Sequence, residues 1–307
     1  MKVLITGGAG YIGSELIAHL ITEHKVTVFD NMMYDRTSLL RYATHPNFNF
    51  IEGDVRDTKT LLKLVSQNDI IIPLAALVGF PLCDKDPRGA SEINFAANRL
   101  IANAKSPDQM LIYPCTNSGY GVAKDGVCTE KSPLNPVSLY GKTKVQAEDV
   151  YRATSGCATF RLATVFGPSS RMRSDLLVNN FVLRALKDKL IVLYECEFMR
   201  NYVHIQDVCR AFKYAIDNWS LFEGETFNLG NDSLNMNKLD LANNIGEHLP
   251  LEIIQAEFNS DPDVRDYIVS SQKIYDTGFI CQYDLHKGIK QLIKAYALIE
   301  EPWYGNY

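Results

Sequence analysis

The chain has 307 residues, enough to bury a full hydrophobic core as one large domain or two fused ones. Hydrophobic residues make up 46% and charged residues 22% of it, which excludes a disordered chain and a coiled coil. The net charge of −5 argues against a protein that grips nucleic acid, and no apolar run reaches membrane-spanning length. The seven cysteines form no Cys-x-x-Cys pair, so we predict neither a disulfide framework nor a metal site.

The N-terminal half alternates short β-branched runs with longer amphipathic runs. Buried strands are predicted at residues 3–6, 26–29, 48–51, 69–73, 110–113 and 158–162. Helices are predicted at about 11–23, 87–104 and 140–154. Strands that alternate with helices in this way predict an α/β fold of the Rossmann type, a doubly wound parallel sheet. Because the first strand opens at Lys2, we expect no secretory leader and a cytoplasmic protein.

Beyond Gly167 the pattern changes. An amphipathic stretch at 176–186, a strand at 190–194, a helix at 205–217 and a strand at 227–229 precede helices at 236–248 and 285–299. We predict that this part includes a smaller α/β cap that binds the substrate. The predicted division assigns 1–166 and about 202–230 to the Rossmann-type domain, and about 167–201 and 231–307 to the cap.

A glycine-rich turn lies between the first predicted strand and the first helix. Gly7, Gly10 and Gly13 are spaced as Gly-x-x-Gly-x-x-Gly. Such a turn reverses the chain tightly, lets the backbone approach a pyrophosphate and presents the N–H groups of a helix N-terminus. The alternative is a plain strand–turn–helix connection without a ligand.

Two carboxylates strengthen the nucleotide interpretation. Asp30 ends the second strand, seventeen residues after Gly13, where a carboxylate can accept both hydroxyls of an adenosine ribose. It would repel a 2′-phosphate, so NAD is favoured over NADP. Asp54 ends the third strand, where its side chain could meet the adenine amino group.

Tyr140 and Lys144 stand four residues apart at the start of a predicted helix, on one face. A phenol is a poor base at neutral pH, but a nearby ammonium favours the phenolate. The polar run 115–121 follows the fifth strand, where ligands of such sheets collect, and Thr116 in it could orient a reacting hydroxyl. The alternative for Thr116 is a capped turn.

Other side chains have less specific signals. Arg171 and Arg173 suit a substrate diphosphate, with a solvated surface pair as the alternative. His204 lies in an apolar run and is predicted to be structural, and Asn94 is predicted to hold its helix against the sheet.

Taken in order along the whole chain, these residues resemble the extended short-chain dehydrogenase/reductases, specifically the NAD-dependent epimerase/dehydratase group that acts on nucleoside-diphosphate sugars. The resemblance is carried by the glycine turn, Asp30, the runs 54–57 and 74–76, Thr116, the Tyr140/Lys144 pair and the run 200–204. It implies that Tyr140 takes a proton from a sugar hydroxyl while NAD accepts the hydride, with Lys144 as electrostatic partner and Thr116 as hydroxyl donor.

The resemblance also implies the binding sites. Arg200 and Arg265 match a pair of arginines that holds the substrate, and Asn179 matches a position that contacts the diphosphate, with a helix-surface amide as the alternative. The predicted cofactor site comprises Gly7, Gly10, Tyr11, Ile12, Gly13, Asp30, Asn31, Asp54, Val55, Leu74, Ala75, Ala76, Tyr140 and Lys144. The predicted substrate site comprises Thr116, Asn117, Ser118, Arg171, Arg173, Asn179, Arg200 and Arg265.

Departures from the family pattern narrow the chemistry. The usual His before Leu-Ala-Ala is Pro73, and the usual Asn of the Arg-x-x-Asn run is Thr164. The 4,6-dehydratases place an acid directly after or near the catalytic Thr, where Asn117 and Ser118 stand here and cannot exchange protons in that way. Ser118 also replaces the Cys of the fucose-synthase type. Dehydration is therefore disfavoured.

A narrower resemblance is to the bacterial GDP-manno-heptose 4-dehydrogenases of surface-polysaccharide synthesis. It rests on the runs 72–79, 116–121, 161–167, 171–179 and 261–267. It implies oxidation of a GDP-sugar at C4; the alternatives are a UDP-hexose 4-epimerase and, more remotely, a non-catalytic NAD-sensing protein. The family resemblance also implies a homodimer through helices near 91–104 and 142–154.

Overall fold

The computed structural model describes residues 1–34, 36–256, 265–299 and 305–306. Its strands are β1 (Lys2–Thr6), β2 (Lys25–Asp30), β3 (Phe48–Glu52), β4 (Ile70–Pro73), β5 (Met110–Thr116), β6 (Val122–Cys128), β7 (Cys157–Leu162), β8 (Thr164–Phe166), β9 (Leu190–Leu193), β10 (Met199–His204), β11 (Thr226–Leu229), β12 (Asn231–Asn237), β13 (Glu252–Gln255) and β14 (Asp266–Val269). Its α-helices are α1 (Tyr11–Leu20), α2 (Thr58–Ser66), α3 (Phe80–Lys85), α4 (Pro87–Ala90), α5 (Ala97–Ala104), α6 (Leu139–Arg152), α7 (Leu177–Lys187), α8 (Ile205–Asp217), α9 (Lys238–Gly246), α10 (Gln272–Tyr275) and α11 (Leu285–Tyr296). A π-helical segment (Ser91–Ala96) joins α4 to α5, and short 3-10 turns cover Leu40–Tyr42, Asn117–Tyr120 and Trp219–Leu221.

The central sheet has seven parallel strands in the order β11-β7-β5-β4-β1-β2-β3. β1 lies between β2 and β4, so that Val3 pairs with Val26 on one side and Ile70 on the other. The strand order reverses there, and sheets of this type bind ligands in the crevice at that reversal. The predicted Rossmann-type fold is confirmed.

The two faces of the sheet bury two hydrophobic clusters. Val3 of β1 packs in one cluster with Leu16 of α1 and Phe212 of α8. Leu4, the next residue, packs in the other cluster with Tyr151 of α6. Adjacent side chains of a strand point to opposite faces, so each strand anchors helices on both sides.

A third hydrophobic cluster lies in the C-terminal part. Val182 of α7, Leu241 of α9 and Leu292 of α11 meet in it. Small sheets accompany it: β12-β10-β8, the pair β13-β9 and the pair β14-β6. The division into a Rossmann-type domain and a cap stays a prediction. None of the described helices is long and apolar enough to cross a membrane.

The predicted elements are present, with bounds shifted by a few residues, and the helix at 205–217 is confirmed without a shift. β5 is longer than predicted and carries Thr116 as its last residue. The helix predicted over 87–104 contains the π-helical segment, and the helix predicted from 236 begins at Lys238 because the Asn237 side chain caps it. The sequence pattern did not predict α2, α3, α10, β6, β8, β10 or β12 to β14.

Candidate active site

A cavity of about 680 Å³ opens at the carboxyl ends of β1, β2, β4 and β5. Most of the predicted site residues, which come from distant parts of the sequence, line this one cavity. They are Gly7, Gly10, Tyr11, Ile12, Gly13, Asp30, Asn31, Asp54, Val55, Leu74, Ala75, Ala76, Thr116, Ser118, Tyr140, Lys144, Arg171, Arg173, Arg200 and Arg265.

The glycine turn is too tight for side chains. Gly7 has φ +69°, and a Cβ there would lie 2.5 Å from the backbone nitrogen of Ala75. A Cβ at Gly13 would lie 2.6 Å from the Cα of Gly8. Gly10 precedes α1 without a side-chain cap, so the N–H groups of the first turn are available to a ligand. This arrangement fits the pyrophosphate of a dinucleotide.

Asp30 is fixed at the end of β2 by two backbone donors. Its Oδ2 accepts from Ala9 N at 3.0 Å and its Oδ1 from Met32 N at 2.8 Å. Each oxygen keeps a second lone pair, which suits a pair of ribose hydroxyls. Burial raises the pKa of Asp30, while the two backbone bonds and the charge of Arg171 lower it.

Asp54 lies on the cavity wall in a fixed orientation. Arg56 donates to its two oxygens from Nε at 2.9 Å and from Nη2 at 2.7 Å. These bonds hold the pKa of Asp54 below its usual value. Asn31 contacts the same carboxylate through Nδ2 at 3.5 Å. Asp54 is therefore an ionised acceptor at the end of β3.

The loop after β4 is held from behind by Asn94. Its Nδ2 donates to Leu77 O at 3.0 Å, and its Oδ1 accepts from Leu77 N at 2.8 Å. Asn94 was predicted to hold its helix against the sheet; its side chain is fully buried, and these bonds join it to the loop that carries Leu74, Ala75 and Ala76.

Tyr140 and Lys144 both lie on α6, which begins where Ser138 Oγ accepts from Gly141 N at 3.2 Å. Lys144 Nζ lies 4.2 Å from the centroid of the Tyr113 ring. Burial lowers the pKa of Lys144 to about 8, so the ammonium still predominates at neutral pH. Burial is the largest cause of that shift, and the negative charge of Glu148 acts in the opposite direction.

The pKa of Tyr140 is raised by burial, which keeps the phenol protonated in the free protein. Positive charges on Arg173 and Arg265 act in the opposite direction. The sequence pattern pointed to Lys144 as the electrostatic partner of Tyr140, and the structure adds these two guanidinium groups from outside the helix.

Thr116 and Ser118 form a hydrogen-bonded pair at the end of β5. Thr116 Oγ1 accepts from Ser118 N and donates to Ser118 Oγ, each at 3.1 Å. Thr116 therefore caps the 3-10 turn and also lines the cavity, so the two interpretations of this residue hold together. The prediction that Asn117 binds the substrate is wrong: its side chain is buried and does not line the cavity.

Arg171 is buried and the Arg173 side chain is only 11% exposed, so the alternative of a solvated surface pair is wrong. The Arg171 guanidinium lies 4.2 Å from the centroid of the Tyr34 ring and donates to Gly305 O at 3.1 Å. Its charge acts on Asp30, which places it at the cofactor end of the cavity. Arg173 forms a two-pronged ion pair with Asp175.

Arg200 and Arg265 reach the cavity from the C-terminal part. Arg200 Nη1 donates to Met199 O at 3.1 Å. Arg265 Nη1 donates to Ser118 Oγ at 3.0 Å, which places that guanidinium beside the end of β5. Residues 261–264, the first four of the motif 261–267 that contains Arg265, lie outside the described residues.

The prediction that Asn179 contacts the diphosphate is also wrong. Its Oδ1 accepts from Gly167 N at 3.0 Å, and its Nδ2 donates to Arg173 O at 2.9 Å. The side chain is fully buried and is absent from the cavity wall, so it is neither a diphosphate contact nor a surface amide. It fixes the backbone of the segment that carries Arg173.

The cavity wall also contains residues that sequence reasoning did not select. Asp175 follows Arg173 by two residues, a spacing that could have suggested their pairing. Lys238 donates to Tyr194 O at 3.0 Å, and Asn306 comes from the far end of the chain. Tyr34, Lys238 and Asn306 follow no local pattern that marks a site.

Fold and site together define an α/β protein of the dinucleotide-binding class. The model of the NAD dependent epimerase/dehydratase family matches residues 3–230. The chain belongs to that family, and the predicted family and NAD as its cofactor are confirmed.

Relatives along most of the chain agree with that family. The low-salt glycan biosynthesis protein Agl12 of Haloferax volcanii is 28% identical over an alignment of 310 residues, gaps included, which covers 96% of this chain and 98% of its own length. The UDP-glucose epimerase YtcB of Bacillus subtilis, named as uncharacterized, is 29% identical over 75% of this chain and 77% of its own. The dTDP-glucose 4,6-dehydratase DesIV of Streptomyces venezuelae, solved with NAD, superimposes with a TM-score of 0.86 at 24% identity, over 97% of each chain. The narrower resemblance to GDP-heptose 4-dehydrogenases stays a prediction.

Proposed function

We propose that this protein oxidises the C4 hydroxyl of a nucleoside-diphosphate sugar with NAD and releases the 4-keto sugar. The proposed substrate is a GDP-heptose of surface-polysaccharide synthesis, as the narrower sequence resemblance implies. A role in glycan synthesis agrees with the name of the Haloferax relative.

One observation carries the proposal. Tyr140, Lys144 and the hydroxyls of Thr116 and Ser118 line the same cavity as the glycine turn and Asp30. A base, a cation and hydroxyl donors therefore face the space in which a dinucleotide bound at Gly7 to Gly13 would end.

The groups around Tyr140 determine whether it can take the proton of the C4 hydroxyl. Tyr140 lies in the first turn of α6, whose N-terminal dipole favours a negative charge, and Arg173 and Arg265 add positive charge. These influences oppose the burial that raises the phenol pKa. The phenol must first release its own proton to solvent, and the phenolate that remains can then accept the C4 hydroxyl proton. NAD, when bound, supplies the hydride acceptor and a positively charged ring. Thr116 and Ser118 are the hydroxyls that can contact the reacting oxygen.

The phosphate groups of the substrate need local cations, because the net charge of the chain is −5. Arg200 and Arg265 provide guanidinium groups on the cavity wall, and guanidinium binds phosphate oxygens in pairs. Lys238 adds a buried ammonium to the same wall. We assign the diphosphate of the sugar nucleotide to this part of the cavity.

Dehydration is not supported by the groups at the site. Asn117 and Ser118 carry no acidic proton, and Asn117 does not reach the cavity. Asp175 does line the cavity, but both of its oxygens accept hydrogen bonds from the Arg173 guanidinium, which commits this side chain to the ion pair.

The second candidate is 4-epimerisation, which shares the oxidation step and then returns the hydride to the opposite face of the sugar. It is favoured by the likeness to a protein named as a UDP-glucose epimerase. A purely NAD-sensing role is disfavoured because Tyr140 and Lys144 both line the cavity. The homodimer through 91–104 and 142–154 remains a prediction from the family resemblance.

The test incubates purified protein with NAD and GDP-, UDP-, CDP- and dTDP-sugars, and follows NADH absorbance and product stereochemistry. Dehydrogenation predicts stoichiometric NADH and a 4-keto sugar, with a GDP-sugar as the best substrate. A C4 epimer without net reduction supports the epimerase instead, and a 6-deoxy-4-keto product contradicts both proposals.

Tyr140→Phe is the control variant for this experiment. It removes the proton acceptor without changing the ring, so we expect turnover to fall at least about 10²-fold. The NAD dissociation constant, measured by titration, should stay within a few-fold of wild type. Unchanged turnover would show that Tyr140 is not the base.

A further inference from the structure

The pair of hydroxyls at the end of β5 is held by a third group. Thr116 Oγ1 donates to Ser118 Oγ at 3.1 Å, and Arg265 Nη1 donates to the same oxygen at 3.0 Å. Arg265 and Ser118 are 147 residues apart in sequence, so their contact joins the C-terminal part of the chain to the end of β5.

The directions of these bonds decide which hydroxyl can donate into the cavity. A serine oxygen has two lone pairs and one proton. Both lone pairs of Ser118 Oγ are used, one by Thr116 and one by Arg265, so its O–H bond points along the remaining direction. Within the part of the chain that the structure describes, that proton has no acceptor, and Ser118 lines the cavity.

Thr116 is in the opposite position. Its proton is committed to Ser118, and its oxygen accepts from the backbone N–H of Ser118 at 3.1 Å. To donate to a ligand it would have to give up the bond that orients Ser118. Thr116 therefore orients the Ser118 hydroxyl.

The guanidinium also changes the strength of the donor. A hydrogen bond from a charged group to Ser118 Oγ draws electron density from the hydroxyl and makes its proton a better donor, because bonds in such a chain polarise one another. Tyr140 lines the same cavity, and the charge of the Arg265 guanidinium that bonds Ser118 also acts on the Tyr140 phenol, so both side chains lie near that guanidinium.

We propose that Ser118, and not Thr116, donates the hydrogen bond that the reacting sugar oxygen accepts, with Thr116 and Arg265 as positioning residues. This inference rests on the proposed function and departs from the family resemblance, which implied Thr116 as donor. Ser118 keeps its proton throughout: the C4 hydroxyl proton goes to Tyr140, the hydride leaves from C4, and the Ser118 bond stabilises the charge that builds on the oxygen between these events.

The test compares kcat and KM of variants with GDP-mannose and UDP-glucose as probes and NAD in excess. Ser118→Ala should lower kcat about 10²- to 10³-fold, the usual effect of losing a donor to a developing oxyanion, with little change in KM. Thr116→Val should lower kcat about tenfold, since it loosens the orientation of the Ser118 hydroxyl without removing its proton. Ser118→Thr, which keeps a hydroxyl, should recover most of the lost rate.

Arg265 is tested by the division between kcat and KM. If Arg265 acts through Ser118 as well as on the diphosphate, Arg265→Met lowers kcat in addition to raising KM, whereas a contact to the substrate diphosphate alone would raise KM at constant kcat. Ser132→Ala is the matched control, because Ser132 Oγ accepts from Thr129 N at 3.0 Å away from the cavity. It should leave both constants unchanged.

A near-normal kcat in Ser118→Ala, together with a Thr116→Val variant as inactive as Tyr140→Phe, would overturn the inference and leave the proposed function intact. Retained turnover in Tyr140→Phe would overturn the proposed function instead. If a probe binds without turning over, a crystal structure of that complex decides: Ser118 Oγ within about 3 Å of a sugar oxygen supports the inference, and Thr116 Oγ1 in that place refutes it.

Discussion

Substituting alanine for Gly7 tests the cofactor cradle with a change of one methyl group. Gly7 has φ +69°, and the added Cβ would lie 2.5 Å from Ala75 N and 2.6 Å from Ala75 Cα. Gly224 is a matched control: it has φ +78°, nothing lies within 4 Å of its added Cβ, and it is outside the cavity. The two variants therefore share the backbone strain and differ in the steric contact.

The magnitudes follow from these two features. Alanine in the left-handed region costs about 1–2 kcal/mol, so both variants should lose that much free energy of unfolding. At Gly7 the backbone of Ala75 must in addition move by about 1 Å to reach ordinary van der Waals distance. We expect a displacement of that size at the NAD site to lower the affinity for NAD on the order of 10²-fold. Gly7→Ala should therefore weaken NAD binding at least 10²-fold, while Gly224→Ala leaves it unchanged.

The assay is titration of each variant with NAD by calorimetry, with urea unfolding to measure stability. The expected result is a stability loss in both variants, larger in Gly7→Ala because of its steric contact, and a loss of NAD affinity in Gly7→Ala alone. If Gly7→Ala binds NAD as tightly as Gly224→Ala does, the turn between β1 and α1 is not the pyrophosphate site and the placement of the cofactor is refuted.

Three further predictions concern charge and burial. Asp30→Asn should weaken NAD binding about tenfold and reduce the preference for NAD over NADP, measured by titration with both; an unchanged preference contradicts the ribose assignment. The buried Arg161 guanidinium lies 2.6 Å from the Glu148 carboxylate, so Glu148→Gln leaves it without a counter-charge and should lower the free energy of unfolding in urea by about 3–5 kcal/mol. Adding Arg161→Met to that variant should recover part of the loss. A loss below about 1 kcal/mol would refute the pairing argument. His204 is buried with its pKa lowered to about 4, so the unfolded chain takes up the proton first as pH falls, and stability is lost between pH 6.5 and 4 by up to about 3 kcal/mol. His204→Gln should flatten that part of the pH–stability curve, and an identical slope in both proteins counts against the assignment.

The central sheet was predictable because its strands are continuous apolar runs separated by amphipathic helices. α8 is the clearest case: its helical period is regular, and its predicted and observed bounds agree. β10 and β12 were missed because their sequences, MRNYVH and NDSLNMN, are polar and lack the apolar signal of a buried strand. β10 forms as a strand because it pairs with β12 on one side and β8 on the other, and these tertiary contacts leave no local pattern in the sequence.

The site was predictable where local geometry demands particular residues. Gly7 and Gly13 must lack side chains, and Tyr140 and Lys144 share a helix face by their spacing. Side chains joined through tertiary contacts were not predictable in the same way. The bond between Arg265 and Ser118 depends on how the C-terminal part packs on β5, and the burial of Asn179 depends on the segment that follows Gly167.

The central claim is that the hydride comes from C4 of a nucleotide sugar. It is tested most directly by supplying a nucleotide sugar that turns over, deuterated at C4, and locating the deuterium by mass spectrometry. Oxidation at C4 predicts deuterium on the nicotinamide of the reduced cofactor and none on the released keto sugar. Deuterium that stays on C4 of a product whose C4 configuration is unchanged, with none on the cofactor, would contradict the account.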